Sequence, residues 1–109
     1  MWIFTVYGFY SVTQPASEPD SIQIRTRQRD HLTRLQKRVH PLREYKIIST
    51  RHRDYPYRLI CPHNVWTKTM TALASEIDYD NFKNEAGSAH GLWGKYVSSL
   101  HKIWSLLAN

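Results

Sequence analysis

Hydrophobic and polar positions near the start of the chain predict two β-strands of different character. Residues 1–12 are β-branched and aromatic almost throughout, and they predict one long strand that ends before Pro15. Large apolar side chains on both of its faces favour a place in the middle of a sheet. Residues 21–27 alternate strictly, so Ile22 and Ile24 are expected to face the core while the opposite face stays polar.

From residue 29 onward, segments with a helical period are mixed with short strand patterns. The predicted elements are a basic amphipathic helix over residues 29–39, strands over 45–50 and 57–61, and helices over 62–77, 78–86 and 92–107. The resulting order is β-β-α-β-β-α-α-α. It predicts an α+β fold, a two-layer sandwich with helices packed on one face of a four-stranded, mostly antiparallel sheet. We expect residues 1–109 to form a single domain.

Positive charge is concentrated in one third of the chain. The 109 residues carry 15 Lys and Arg against nine Asp and Glu, for a net charge of +6. Residues 22–58 alone hold nine arginines and two lysines against three acidic residues. A basic patch of this kind attracts nucleic acid or an acidic protein partner.

The composition also bears on cellular location and covalent chemistry. Cys61 is the single cysteine, so an intrachain disulfide is excluded and a reducing compartment is the simpler expectation. The apolar first residues lack the basic region and the cleavage site of a signal peptide. No segment approaches the roughly 20 apolar residues of a membrane span. We therefore expect a cytoplasmic protein without membrane contact.

Four segments carry a resemblance to known sequences. They are MWIFTVYGFYSV at residues 1–12, DYPYR at 54–58, IDYDNFKN at 77–84, and His101-x-x-Trp104. In these segments the chain resembles a family of small bacterial proteins without a characterised function. The resemblance spans nearly the whole chain and implies a compact stand-alone domain, but it brings no activity and no catalytic residues.

The residue types used in catalysis and metal binding do not form a recognised motif. The six histidines include no i, i+4 pair and the chain has no cysteine pair, so neither a metal site nor a cofactor is predicted. A phosphate-binding glycine-rich loop is also missing from the sequence. Cys61 is expected to be a buried structural thiol. We predict no catalytic residue, and an enzyme is the less favoured class.

The predicted binding surface is the polar face of the sheet. Because the isoleucines of residues 21–27 face the helices, Arg25 and Arg27 are expected on the other side, where Arg58 could join them. Aromatic rings between arginines form a platform for stacked bases, with the guanidinium groups on phosphates. The residues expected to bind are Tyr7, Phe9, Arg25, Arg27, Arg34, Lys37, Arg38, Lys46, His52, Tyr57 and Arg58.

Three functions fit this surface. The first is a binding module for nucleic acid or another polyanion. The second is a protein-interaction or homodimerising module, in which a helix or a second copy covers the aromatic and arginine side chains. The third is a metal-independent ribonuclease that uses His52, Tyr55, Tyr57 and Arg58 for phosphate binding and proton transfer.

Overall fold

The computed structural model describes residues 1–91 and 94–108 of the chain. Its strands are β1 Trp2–Thr5, β2 Gly8–Thr13, β3 Ser21–Thr26, β4 Ile48–Ser49 and β5 Tyr57–Pro62. Its helices are α1 Arg29–Arg38, α2 His63–Ser75, α3 Phe82–His90 and α4 Lys95–Leu107, and a short 3-10 helix, His40–Glu44, follows α1. The α+β class is therefore confirmed. The predicted start of the last helix at residue 92 lies outside the described residues.

The first twelve residues form a hairpin and not one long strand. β1 and β2 pair in antiparallel fashion, with Val6 and Tyr7 in the turn between them. The Thr5 hydroxyl oxygen stabilises this turn by accepting the N–H groups of Tyr7 at 3.0 Å and Gly8 at 3.2 Å. The prediction of four strands was wrong because the two turn residues are themselves strand-forming types, without the Asn-Gly or Asp-Gly pair that marks most tight hairpins.

β3 lies at the centre of the five-stranded sheet. The strand order is β1-β2-β3-β5-β4, and every neighbouring pair is antiparallel. β1 is an edge strand and β2 lies inside the sheet, so the prediction that the first segment occupies the middle of the sheet was wrong for β1 and holds for β2. Its apolar residues are divided between two strands that pair with each other.

The main hydrophobic core lies between one face of the sheet and the helices α1 and α2. Ile22 and Ile24 of β3 are buried there, opposite Cys61 and Leu59 of β5. Each fully buried aliphatic side chain contributes about 1.5–3 kcal/mol to folding. The two helices contribute Leu32, Leu35, Val65 and Trp66. The alternation of residues 21–27 therefore assigns the core face of β3 correctly.

A second, smaller core lies on the opposite face of the sheet. Phe4 and Phe9 are paired across the hairpin, and their rings stack with centroids 4.6 Å apart. They pack against Ala86 of α3 and against Tyr96 and Leu100 of α4. The prediction that all helices pack on one face was therefore wrong. A single continuous strand would place the two phenylalanines on opposite faces, whereas the hairpin brings them to the same face.

The short helix α3 begins later and extends further than its sequence pattern suggests. Its N-cap is Asn81, whose side-chain oxygen accepts the N–H group of Asn84 at 3.0 Å. The helix continues through Gly87 and ends at His90. Within the described ranges, none of the helices combines the length and the apolar character needed to cross a membrane.

Candidate functional site

The sheet face opposite the main core, called the mixed face below, carries aromatic residues near one edge and arginines in the middle. Cross-strand neighbours on it follow one another in the order Trp2, Ser11, Arg25, Arg58 and Ile48. Directly opposed residues of antiparallel strands share a face, so these five side chains form one row across all five strands. The two arginines are adjacent at the centre of this row.

Two segments cover different parts of the mixed face. α4 lies across the stacked rings of Phe4 and Phe9. The loop over residues 51–56, which joins β4 to β5, lies over the arginines and is closed by the N–H group of Thr50 donating to the Pro56 carbonyl at 2.8 Å. The aromatic end is thus partly covered by the chain's own helix, and the arginine end by a polar loop.

Tyr55 of this loop stands between the two ends of the mixed face. The guanidinium carbon of Arg25 lies 4.8 Å from the centroid of its ring, and that of Arg27 lies 5.3 Å from it. Both distances are within the range of cation–π attraction. The ring centroid of Phe9 is 6.3 Å away. Tyr55 therefore contacts arginines and belongs to the aromatic cluster at the same time.

An aromatic pocket of about 380 Å³ opens between α4 and the mixed face. It is lined by Trp2, Phe4, Phe9, Arg27, Gln28, His31, Tyr55, Lys95, Tyr96, Ser99 and Ile103. Trp2 meets Phe9 edge to face at 5.6 Å and is still 70% exposed. Flat ring surfaces and two basic side chains, Arg27 and Lys95, thus occur in one recess.

A second recess, the arginine cavity, lies on the other side of Tyr55 and has a volume of about 320 Å³. Its walls are Gln23, Arg25, His52, Arg53, Asp54, Tyr55 and Arg58. One terminal nitrogen of Arg25, Nη2, donates to the hydroxyl oxygen of the buried Ser11 at 2.8 Å. The guanidinium group of Arg25 is therefore held by a hydrogen bond and by a stacked ring.

Within the described residues neither Arg25 nor Arg58 forms an ion pair, although the carboxylate of Asp54 lines the same cavity. The Nε atoms of Arg25 and Arg58 are buried and have no hydrogen-bond partner within residues 1–91 and 94–108. In the same ranges the ion pairs are Arg34–Asp30 and Arg38–Glu76, and neither involves a cavity residue. Buried polar atoms without a partner cost stability.

Four of the predicted binding residues lie elsewhere, around the hairpin turn and α1. The Tyr7 hydroxyl donates to Glu76 at 2.6 Å, and burial together with this bond raises the pKa of Tyr7 to about 12. Arg38 forms an ion pair with the same carboxylate. Arg34 bonds to the Ala89 carbonyl at 2.9 Å. Arg34, Lys37 and Arg38 line a separate shallow groove with Tyr7, so these residues do not join the mixed face.

Two more predicted residues are also separate from the arginines. Tyr57 is paired with Thr26 and packs on the main core, so it lies on the face opposite Arg58. Lys46 is exposed and precedes β4. The structure thus brings Phe9, Arg25, Arg27, His52 and Arg58 together around Tyr55.

Sequence reasoning missed several residues of the aromatic pocket. Trp2 and Phe4 were not among the predicted binding residues, and the hairpin places them on the mixed face beside Phe9. Tyr96 and Lys95 come from α4, whose wide apolar stripe predicts burial without indicating the partner surface. Recognition of the turn at residues 6–7 would have corrected the first pair.

Asp30, His31 and His90 form a cluster of potential cation ligands beside the hairpin turn. One ligand atom of each lies within 4.8 Å of the others. The N–H group of Phe9 donates to His31 Nδ1 at 3.2 Å, so the neutral ring carries its proton on Nε2. His90 donates from Nε2 to the Val6 carbonyl at 2.8 Å. A cation at His31 Nε2 would first have to displace that proton, which disfavours metal binding, and this atom is buried without a hydrogen-bond partner among the described residues.

His31 attaches α1 to the hairpin through Phe9, and His90 attaches α3 to it through Val6. Burial lowers the pKa of His31 and the pKa of His90, which keeps both rings neutral at pH 7. The Tyr96 hydroxyl adds a 2.6 Å bond to the Thr5 carbonyl. The position of α4 over the aromatic pocket therefore depends on the turn between β1 and β2.

Comparison with known proteins does not indicate a function for this chain. No family model matches the chain, and no curated protein or solved structure is significantly similar to it. The function is therefore inferred from the two recesses on either side of Tyr55.

Proposed function

We propose that the protein binds single-stranded nucleic acid on the mixed face, with bases in the aromatic pocket and phosphates on the neighbouring arginines. The observation that carries this proposal is the position of Tyr55. Its ring lies 4.8 Å and 5.3 Å from the guanidinium carbons of Arg25 and Arg27 and also lines the aromatic pocket. A stacking surface and a phosphate-binding surface are therefore in direct contact.

The recessed shape of the aromatic pocket favours single strands over duplexes. A base can stack against Trp2, Phe9 or Tyr55 only if it is turned out of a helix, because α4 stands over one side of the pocket. Unpaired bases that stack on aromatic rings are the usual target of such surfaces. Each stacked base contributes about 1–3 kcal/mol, largely independent of its identity.

The charge distribution supports the same ligand. Arg25, Arg27 and Arg58 lie on or beside the mixed face, and Lys95 adds a fourth basic group at the pocket. Neutralised phosphates release counter-ions, and each one contributes about −0.7 to the slope of log K against log salt for single strands. Binding is therefore expected to weaken steeply between low and physiological salt.

The other two functions considered from the sequence have less support. The homodimer proposal rests on the exposed Trp104 and Leu107 of α4, because α4 already covers part of the aromatic surface. An acidic protein would use the basic side chains of the two recesses but not their aromatic rings. For the ribonuclease proposal, His52 and Arg58 share a cavity with Tyr55, but Tyr57 lies on the opposite face of the sheet. Nucleic-acid binding without cleavage uses more of the observed geometry.

Fluorescence anisotropy with short labelled RNA and DNA tests the proposal. The intact chain is expected to bind single strands better than duplexes, with affinity falling from about 50 to about 200 mM salt. Tyr55→Ala should weaken binding about tenfold. The matched control Trp104→Ala removes an exposed ring outside the aromatic pocket and should leave affinity unchanged. Equal affinity of the Tyr55→Ala variant and the unaltered chain would contradict the proposal.

A further inference from the structure

We infer that the arginine cavity is a site for one phosphomonoester group, such as the phosphate at the end of a strand or on a mononucleotide. The identity of the rest of the ligand rests on the proposed function, since the adjoining aromatic pocket would hold the terminal base. The phosphate site itself rests on the arginine pair. Arg25 and Arg58 are directly opposed on β3 and β5, and both line the cavity.

The opposition of the two arginines is the first argument. Directly paired residues of antiparallel strands have α-carbons about 4.5–5.5 Å apart. Like charges in such a pair repel each other and destabilise the sheet. An anion placed between the two guanidinium groups replaces this repulsion with two attractions.

The lack of an ion pair to Arg25 or Arg58 in the described part of the chain also favours an anion site. Asp54 lines the cavity but forms no ion pair with Arg25 or Arg58 within the described ranges. Both Nε atoms are buried without a hydrogen-bond partner in those ranges. Because these atoms are shielded, an incoming anion would be held by the terminal Nη groups. Arg25 and Arg58 thus lie in one recess without an ion pair to either of them in the described part of the chain.

The side chain of Arg25 is held in position before a ligand binds. Arg25 is fixed by its bond to Ser11 and by the ring of Tyr55, so little side-chain entropy is lost when it binds. Gln23, which also lines the cavity, donates to the Thr13 hydroxyl at 2.9 Å and is held in place in the same way. Guanidinium groups held in advance are well suited to the oxygens of a phosphate.

The number of charges distinguishes a terminal phosphate from a phosphate within a strand. The cavity walls carry Arg25, Arg53 and Arg58 against Asp54, a formal charge of +2. A phosphodiester carries one negative charge and leaves this site net positive. A monoester near neutral pH carries up to two charges and has three terminal oxygens that can accept from side chains on both strands. His52, on the loop above Arg58, can contribute a further donor. A strand end or a mononucleotide therefore matches the cavity better than an internal linkage.

The experiment compares oligonucleotides that differ only in their terminal phosphate, together with two smaller phosphate ligands. Isothermal titration of the full chain uses inorganic phosphate, a nucleoside monophosphate, and one oligonucleotide sequence with a 5′-phosphate, a 3′-phosphate or hydroxyl ends. We expect at least one phosphorylated oligonucleotide to bind about tenfold more tightly than the hydroxyl form. The preferred end identifies the strand polarity, and a stronger response to the mononucleotide identifies a free nucleotide as the source.

Variants assign the preference to the arginine pair. Arg58→Gln and Arg25→Gln should abolish the preference for a phosphorylated end, while the matched control Arg51→Gln, at an exposed position of the same loop, should keep it. Circular dichroism verifies that each variant is folded, and if Arg58→Gln does not fold, loss of the preference in Arg25→Gln alone decides the test.

The possible results separate this inference from the proposed function. Equal affinity for phosphorylated and hydroxyl oligonucleotides would overturn the phosphate site while nucleic-acid binding stands. Binding of inorganic phosphate or the mononucleotide, lost in Arg58→Gln and without affinity for any oligonucleotide, would support the phosphate site and overturn the proposed function. A preference that survives both arginine variants would overturn the site.

Discussion

Arg25 and Arg58 lie directly opposite each other at the centre of the mixed face, and the Nε atoms of both are buried without a hydrogen-bond partner in the described part of the chain. Proteins usually separate or neutralise like charges at such positions, because repulsion and incomplete hydrogen bonding both lower stability. Here the arrangement is retained beside a cavity and a stacked tyrosine. The local cost in stability and the capacity to bind an anion have the same origin.

Removal of one of these charges is expected to stabilise the protein when no ligand is present. Arg58→Gln relieves the repulsion from Arg25 and should raise the free energy of unfolding by about 0.5–1 kcal/mol at low salt. Addition of phosphate should stabilise the unaltered chain and have little effect on the variant, since only a native state with the site gains from binding. Urea unfolding with and without phosphate measures both effects. Arg51→Gln is the control, and a marked loss of stability in Arg58→Gln alone would contradict the prediction.

Gly8 is required by the close approach of His31 to the hairpin. An added Cβ atom at Gly8 would lie 2.3 Å from Cγ of His31, a ring that is itself buried and bonded to Phe9. Gly8→Ala should therefore cost about 1–3 kcal/mol of stability through overpacking, in addition to backbone strain at the φ of 156° that Gly8 adopts.

The control for this change is Gly91→Ala. Gly91 has a φ of 86°, and a Cβ there meets nothing within 4 Å among the described residues, so only backbone strain of about 1 kcal/mol is expected. In a His31→Ala background, the penalty of Gly8→Ala should shrink because the opposing ring is gone. Chemical denaturation of the four variants gives the comparison, and an unchanged penalty would show that the ring is not the cause.

The stability of the fold should decrease on mild acidification because of His31. Burial lowers the pKa of its imidazole, so the folded state binds fewer protons than the unfolded state between the two pKa values. Stability is then fully present above the ordinary histidine pKa of about 6.5, and it falls by up to about 1.4 kcal/mol per pH unit as the pH drops toward the folded pKa. Protonation of Nδ1 also removes the acceptor of the Phe9 N–H group.

Urea unfolding at a series of pH values between about 5 and 8 tests this dependence. His31→Gln should flatten the slope, although His90 retains a smaller contribution of the same sign because its pKa is also lowered by burial. His101→Gln, on the exposed side of α4, is the control and should keep the full slope. Identical slopes for His31→Gln and the unaltered chain would assign the acid sensitivity to other groups.

The parts of the fold that the sequence predicts well are those in which periodicity and burial agree. Residues 21–27 alternate on a central strand, so their two faces were assigned correctly. The hairpin was missed because Val6 and Tyr7 favour strands intrinsically, and the turn is instead stabilised by the Thr5 hydroxyl and the small size of Gly8. Those are tertiary and local hydrogen-bonding effects that hydrophobic patterning does not contain.

The candidate site, like the fold, could be predicted from the sequence only in part. The sharing of one face by Arg25 and Arg58 follows from the parity of two strands, and it could be predicted. The aromatic pocket could not be predicted, because it forms only when the hairpin places Phe9 beside Phe4 and α4 packs on that face of the sheet. The apolar stripe of a helix indicates that it is buried but does not indicate against which surface.

The contact between Tyr55 and Arg25 should be measurable as a coupling in ligand binding. The guanidinium group lies 4.8 Å from the ring centroid, and each side chain orients the other at the boundary between the two recesses. A double-mutant cycle with Arg25→Gln and Tyr55→Leu should give a coupling energy of about 0.5–1 kcal/mol for binding of a phosphorylated oligonucleotide. A parallel cycle that pairs Tyr55→Leu with Arg51→Gln should be additive. Tyr55→Phe, which keeps the ring, should retain most of the affinity. Additive effects in the Arg25 cycle would contradict the prediction and show that the aromatic pocket and the arginine cavity act independently.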